Sequence, residues 1–169
     1  MNARLWYPQL DVYDAVRRIG GLLALWGAEA APIPERLFIA DFYLANPPLL
    51  HKTHMTRSVR NDFNALGIPR PEKVFVSYPS PPILFQKMDE VQRQAFRTLT
   101  GKGLIDLPGL EQGTVAPSAT GRELFSYRFV PLFGENERRI AAFIAGPFAS
   151  GDQDIAALRR STGLRRVVR

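Results

Sequence analysis

The sequence predicts a mainly α (α+β) protein: a helical chain built around a winged helix-turn-helix with a small β-hairpin wing. Three observations predict it. Apolar side chains recur at three- and four-residue spacing over Leu10–Trp26, Pro34–Ala45 and Glu90–Gly101, the periodicity of amphipathic helices. Prolines punctuate the chain at Glu29–Pro34, Pro47–Pro48 and Ile68–Pro82, where helices cannot continue. Finally, Glu90–Ala116 runs in the order helix, glycine exit, short strand, turn, returning strand, which is that of a winged helix. A helix followed by an unrelated hairpin fits the same order.

Each element has its own warrant. In Leu10–Trp26, Val12, Ala15/Val16, Ile19, Leu22/Leu23 and Trp26 make one stripe. Asp11 is placed to cap it and Asp14 adds charge near its positive end. Gly20 and Gly21 each cost about 1 kcal/mol relative to Ala; they suit either a close helix crossing or a break. Pro34 fits the first helical position of Pro34–Ala45. A short helical stretch is expected within Leu49–Leu66, and Ile68–Pro82, with five prolines around Val74–Tyr78, reads as an extended linker. Pro82–Met88 reads as a short helix. Asp89 is placed to cap Glu90–Gly101, whose inward stripe is Val91, Ala95/Phe96 and Leu99.

Gly101 and Gly103 suit the left-handed exit. Leu104–Leu107 and Thr114–Ala116 then read as strands around a Pro108–Gly113 turn. Downstream, Thr120 is placed to cap a helix through Phe129. Glu135–Ala149 follows with Ile140, Phe143, Ile144 and Phe148 inward, and Asp154–Ser161 ends at Gly163 before Leu164–Val168. The expected divisions are an N-terminal helical segment (1–33), a winged-helix-like core with a proline-rich insertion at 68–82 (34–118), and C-terminal helices with a basic tail (119–169), all in one unit. Trp6, Tyr7 and Tyr13 are expected to pack the N-terminus, and Phe38, Phe42, Phe85 and Phe96 the core.

Composition excludes several classes. With 169 residues, 46% apolar and 22% charged, the chain can bury a real core and is not disordered over most of its length. Without cysteine, disulfides and thiolate–zinc sites are impossible. The longest uncharged apolar stretches, Ile19–Ala28 and Ile140–Ala149, have ten residues each, too few to span a bilayer. Arg4 is followed by no apolar h-region, so no secretory signal is expected, and a cytoplasmic protein is. The net charge of +6 is local: residues 1–154 carry 17 basic and 16 acidic side chains, whereas 155–169 carry five arginines and no acid. A uniformly basic nucleic-acid protein does not look like this. A patch that grips phosphate, or one that meets an acidic protein, does.

No catalytic constellation is expected, and no cofactor. His51 and His54 would share a helical face, with Asp41 or Asp62 completing a metal sphere, but no H-E-x-x-H or comparable motif surrounds them. Neither G-x-x-x-x-G-K-[ST] nor G-x-G-x-x-G occurs. For nucleic acid, the outward face of Glu90–Gly101 would carry Glu90, Arg93, Gln94 and Arg97, with Lys102 beyond. Arg93 and Arg97 at i, i+4 could reach adjacent phosphates, though Glu90 offsets Arg93 and the wing turn holds only Glu111. The tail arginines Arg159, Arg160, Arg165, Arg166 and Arg169 are the stronger electrostatic candidates for contact with a partner or with phosphate. In an extended tail, Arg166 projects opposite to Arg165.

Five blocks in fixed order carry a family resemblance: Trp6–Ala15 (WYPQLDVYDA), Pro34–Leu44 (PERLFIADFYL), Leu84–Met88 (LFQKM), Gly103–Asp106 (GLID) and Arg160–Leu164 (RSTGL). Together the chain resembles the middle components of bacterial ABC-three-component systems, a broader group that includes Lamassu-type systems. The resemblance implies a non-catalytic adaptor encoded between an SMC/Rad50-like ABC ATPase and an effector, often a nuclease. Its setting is defence against phages or plasmids. In that role the chain bridges ATPase and effector and has DNA as a further candidate contact. No catalytic motif comes with the family, and Leu164–Arg169 is richer in arginine than the resemblance implies. The alternative is a free-standing winged-helix transcriptional regulator, which would bind DNA through Arg93 and Arg97.

Overall fold

Asp11 accepts a hydrogen bond from the Asp14 N–H at 2.9 Å and starts α1, Val12–Leu25, directly after a single 3₁₀ turn at Pro8–Leu10. The computed structural model describes residues 7–27, 29–74, 78–151 and 154–166. α1 is the central helix: it packs on the later helices of both halves of the chain, and Ala15, Ile19, Leu22 and Leu23 are buried. The two glycines resolve as a close crossing rather than a break. A Cβ on Gly20 would run into the rings of Phe125 and Phe129, and one on Gly21 into Phe133.

α2, Pro34–Ala45, begins with Pro34 at its first position as expected and is buried along most of its length from Leu37 to Leu44. Beyond it the sequence reading of one stretch divides. A 3₁₀ helix covers Pro47–Lys52 and α3 covers Arg57–Asn64, with extended backbone at Thr53 and Thr56 between them. The linker reading of Ile68–Pro82 meets a 3₁₀ turn at Pro71–Lys73 and then α4, Pro81–Lys87; residues 75–77 lie outside the described residues.

α5 spans Asp89–Gly101, and Asp89 is its first residue rather than its cap. The buried positions are Gln92, Ala95 and Leu99, while Val91 and Phe96 are only partly buried. The helix exits through Gly103 at φ +70°, its neighbour Leu104 donating back to the Leu99 carbonyl at 3.0 Å, as in a glycine-terminated helix. Gly101 does not take the left-handed form.

The β-hairpin wing does not form. Asp106 caps the Gly109 N–H at 3.0 Å, and Leu107–Glu111 closes into a short helix, α6, with proline in its first turn. What remains of the pairing is one antiparallel bridge, Ile105–Pro117, flanked by Asp106 N–H to Ala116 at 2.8 Å and Ser118 N–H to Leu104 at 3.0 Å. Pro117 has no N–H to extend it, and the Val115 N–H turns away to Pro32 at 2.7 Å. No sheet exists among the described residues, so the fold is helical and not a winged helix.

Ser118, not Thr120, caps α7, Ala119–Leu124, through the Gly121 N–H at 3.0 Å. A π-helical turn (Phe125–Phe129) and a 3₁₀ turn (Val130–Leu132) continue it. The expected helix Glu135–Ala149 is α8, Glu135–Phe143, followed by a second π-turn, Ile144–Phe148, that contains Pro147. A proline inside a helix removes one donor and crowds the carbonyl four residues back, which widens the turn. Ile140, Phe143, Ile144 and Phe148 face inward as the periodicity requires. One turn, α9 (Ala149–Gly151), precedes α10, Ile155–Thr162, which Asp154 caps and Gly163 ends at φ +73°.

A single core gathers residues from Ala15 to Leu164. Phe38 meets Phe96, and Phe42 meets Phe85, edge to face at 5.9 and 5.5 Å, so the four expected core rings pack in two pairs. The N-terminal tyrosines do not: Tyr7 is half exposed and Tyr13 is 87% exposed, while Trp6 lies outside the described residues. No helix among the described residues is long and apolar enough to cross a membrane.

Candidate interaction surface

The described candidate arginines fall into two groups, and internal carboxylates decide which. On α5, Arg93 donates to Asp89 at 2.7 Å. Arg97 is 69% exposed and only approaches Glu90, at 3.8 Å. On α10, Arg159 grips Glu35 of α2 with two donors, at 3.0 and 2.5 Å. Arg166 is buried: Nη1 lies 3.2 Å from Asp89 and donates to the Phe85 carbonyl at 3.0 Å, and Nη2 donates to Gln92 Oε1. Its backbone N–H donates to Glu35 at 3.0 Å. Arg93, Arg159 and Arg166 are therefore joined through Asp89 and Glu35. Lys102, Arg160 and Arg165 are exposed and form no ion pair among the described residues. Arg169 lies outside the described residues.

This cluster is one end of a polar chain through the molecule. Gln92 Nε2 donates to Asp41 Oδ2 and to the Phe38 carbonyl, both at 2.9 Å. Asp41 is fully buried and accepts from Arg18 Nε at 2.7 Å. Arg18 pairs with Asp14 at 2.5 Å, and Asp14 with Arg17, which reaches Glu137 at 2.8 Å. Five arginines (17, 18, 93, 159, 166) thus stand against five carboxylates (14, 35, 41, 89, 137), and this network taken by itself is neutral. Burial works to lower the Arg17 and Arg18 pKa values, and their paired carboxylates outweigh it and hold both raised.

Reading the sequence missed Arg18 and Gln92 and gave Asp41 a different task. A signal was present: Asp41 interrupts the apolar run Leu37–Leu44, and a carboxylate inside a core helix requires a cation. The i, i+4 spacing from Asp14 to Arg18 supplies one.

The histidines do not form a pair. His51 Nε2 hydrogen-bonds the Ile68 carbonyl at 2.7 Å and its ring meets Phe63 at 4.8 Å. His54 follows the end of the 3₁₀ helix at Lys52 and does not share its face. Asp41 is committed to Arg18 and Gln92. Among the described residues no three His, Asp or Glu side chains are grouped as a metal site would need. An open groove of about 900 Å³ runs past Trp26, Arg36, Thr114 and Asp154. Arg36 there donates to the Ala149 carbonyl at 3.1 Å and Asp154 caps α10.

The surface also carries large exposed apolar side chains. The segment Phe125–Leu132 buries Phe125 and Val130 and turns Tyr127 (75% exposed) and Leu132 (65% exposed) to solvent. Tyr127 and Arg128 line a shallow hollow with Thr120, Glu123 and Leu124. Tyrosine and arginine are among the residue types enriched at interface anchors.

The family described as ABC-three component (ABC-3C) system Middle Component 5 matches residues 4–151. No curated protein and no solved structure matches the chain.

Proposed function

Since the chain belongs to the Middle Component 5 family of ABC-three-component systems, we propose that it works as a non-catalytic adaptor joining an SMC/Rad50-like ABC ATPase to an effector subunit in anti-phage or anti-plasmid defence. The observation that carries this reading is the family match over residues 4–151. Two features of the chain support it. Most of its buried charged side chains are paired with one another, and Tyr127 and Leu132 offer exposed apolar area. We assign the ATPase or effector contact to the Tyr127–Leu132 segment. The accessory electrostatic contacts, to an acidic partner surface or to phosphate, fall to Arg97, Lys102, Arg160 and Arg165.

Co-expression with the ATPase encoded beside it is the test. A stable complex on size-exclusion chromatography is the expected result, and a chain that elutes alone at micromolar concentrations of both proteins refutes the adaptor reading. The regulator alternative loses its basis with the wing, and Arg93 is held by Asp89.

A further inference from the structure

Two stretches of the chain contain no acid and no Phe, Tyr or Trp: 47–61, with Lys52, Arg57 and Arg60, and 155–166, with Arg159, Arg160, Arg165 and Arg166. The fold brings them together. The His54 N–H donates to the Ser161 carbonyl at 2.9 Å, so the turn that leads into α3 lies against the end of α10. Past that end, the arm after Gly163 is held by Leu164 and Arg166, both buried, and leaves Arg165 exposed.

Internal contacts take up three of these cations. Arg159 is held by Glu35 and Arg166 by Asp89, while Arg60 donates to the Thr53 carbonyl at 2.5 Å. Lys52, Arg57, Arg160 and Arg165 are exposed and stand outside every ion pair among the described residues. The bordering carboxylates do not neutralise them. Asp154 caps α10 at the end opposite to Ser161, Glu35 is committed to Arg159, and Asp62 follows in the second turn of α3. Like charges gathered without counter-charges attract a polyanion.

The make-up of this face selects among polyanions. None of the large exposed apolar side chains lies in either stretch, whereas a protein partner is anchored by aromatic and apolar groups at the centre of its interface. A single strand is gripped by stacking its bases on aromatic rings, and the two stretches have no Phe, Tyr or Trp to offer. Arginine, lysine and hydroxyl side chains, here with Thr56 and Ser58 exposed beside Arg57, are the groups that contact the phosphates of a duplex.

We propose that the face formed by Lys52, Arg57, Arg160 and Arg165 seats the sugar–phosphate backbone of a nucleic-acid duplex. The inference deepens the electrostatic part of the adaptor reading. Its test uses the chain alone, so failure here is distinct from failure to bind the ATPase.

The full-length chain is titrated into a fluorescently labelled DNA duplex of random sequence, and anisotropy is read. The logarithm of the association constant should fall against the logarithm of salt with a slope of about −3 to −4, the value for four phosphate contacts, or roughly a 100-fold loss between about 50 and 200 mM. Absence of binding at the lower salt overturns the proposal. Arg57→Gln with Arg160→Gln should weaken binding at least tenfold, whereas Arg97→Gln with Lys102→Gln, which removes the same charge elsewhere, should change it less than about twofold. Equal losses overturn it. Polyglutamate that displaces the duplex at equal charge concentration also overturns it, in favour of an acidic protein surface. The unchanged chain gives a readout that needs no variant to fold: the duplex should slow acylation of Lys52 several-fold and leave Lys102 unaffected. Equal protection of the two lysines overturns the proposal.

Discussion

Arg18 lies almost wholly out of solvent between Asp14 and Asp41, and each of the three is there because of the other two. Two fully buried opposite charges gain little over a well-packed apolar pair, but removing one strands the other. Asp41→Ala takes the acceptor from Arg18 Nε and Nη2 and one of two from Gln92 Nε2 and should cost about 3–5 kcal/mol, read as a lower urea midpoint with an unchanged m-value. Glu35 responds to pH. Burial works to raise its pKa, and the hydrogen bonds from Arg159 and from the Arg166 N–H, with the two guanidinium charges, prevail and hold it below its ordinary 4.5. A carboxylate shifted down stabilises the fold above its unfolded pKa and loses that contribution as pH falls through the folded one. Acidification below 4.5 should therefore speed hydrogen exchange at the Arg166 amide before the core opens; if the core opens first, Glu35 is not what holds the arm. Little of this residue-level pairing was legible in the sequence. Asp14 and Arg18 are neighbours on one helix, but Arg166 meets Asp89 across seventy-seven positions, and no local rule reports that.

Among the elements, the helices read best where apolar periodicity and an end signal coincide. Pro34–Ala45 was readable to the residue, and the last helix ends at Gly163 as its sequence indicates. The left-handed φ of +73° at Gly163 sets the direction in which the arm leaves, so Gly163→Ala should cost about 1–2 kcal/mol, measured by thermal melting. Gly20 serves differently: its missing Cβ makes room for Phe125 and Phe129. Gly20→Val should destabilise by about 1–3 kcal/mol through overpacking, more than its gain in helix propensity returns. A denaturation midpoint equal to wild type would show that the rings can move aside. The wing misled because strands and short helices both draw on a few apolar residues beside a turn. Asp106 and Pro108 are as good a helix start as they are a turn, and the cap to Gly109 decided between them.

For the whole molecule, charge and apolar exposure bear on function together. A tail that looks basic in sequence spends Arg159 and Arg166 on internal carboxylates, so the excess charge available to a partner is smaller than the composition implies. If the Tyr127–Leu132 segment is the docking surface, Tyr127→Glu with Leu132→Glu should reduce recovery of the ATPase or effector at least tenfold while leaving the melting temperature within about 2 °C, because both side chains are exposed and surface changes are usually small in stability. Undiminished recovery would move the contact elsewhere. By itself the sequence determined the helical class, most helix limits and the family blocks, because periodicity, caps and prolines act over a few residues. The tertiary structure alone decided that no sheet forms, that His51 and His54 do not cooperate, and that Arg166 turns inward. Those outcomes depend on which distant groups arrive to satisfy a backbone donor or a buried charge, and that follows from the packing of the helices rather than from any one of them.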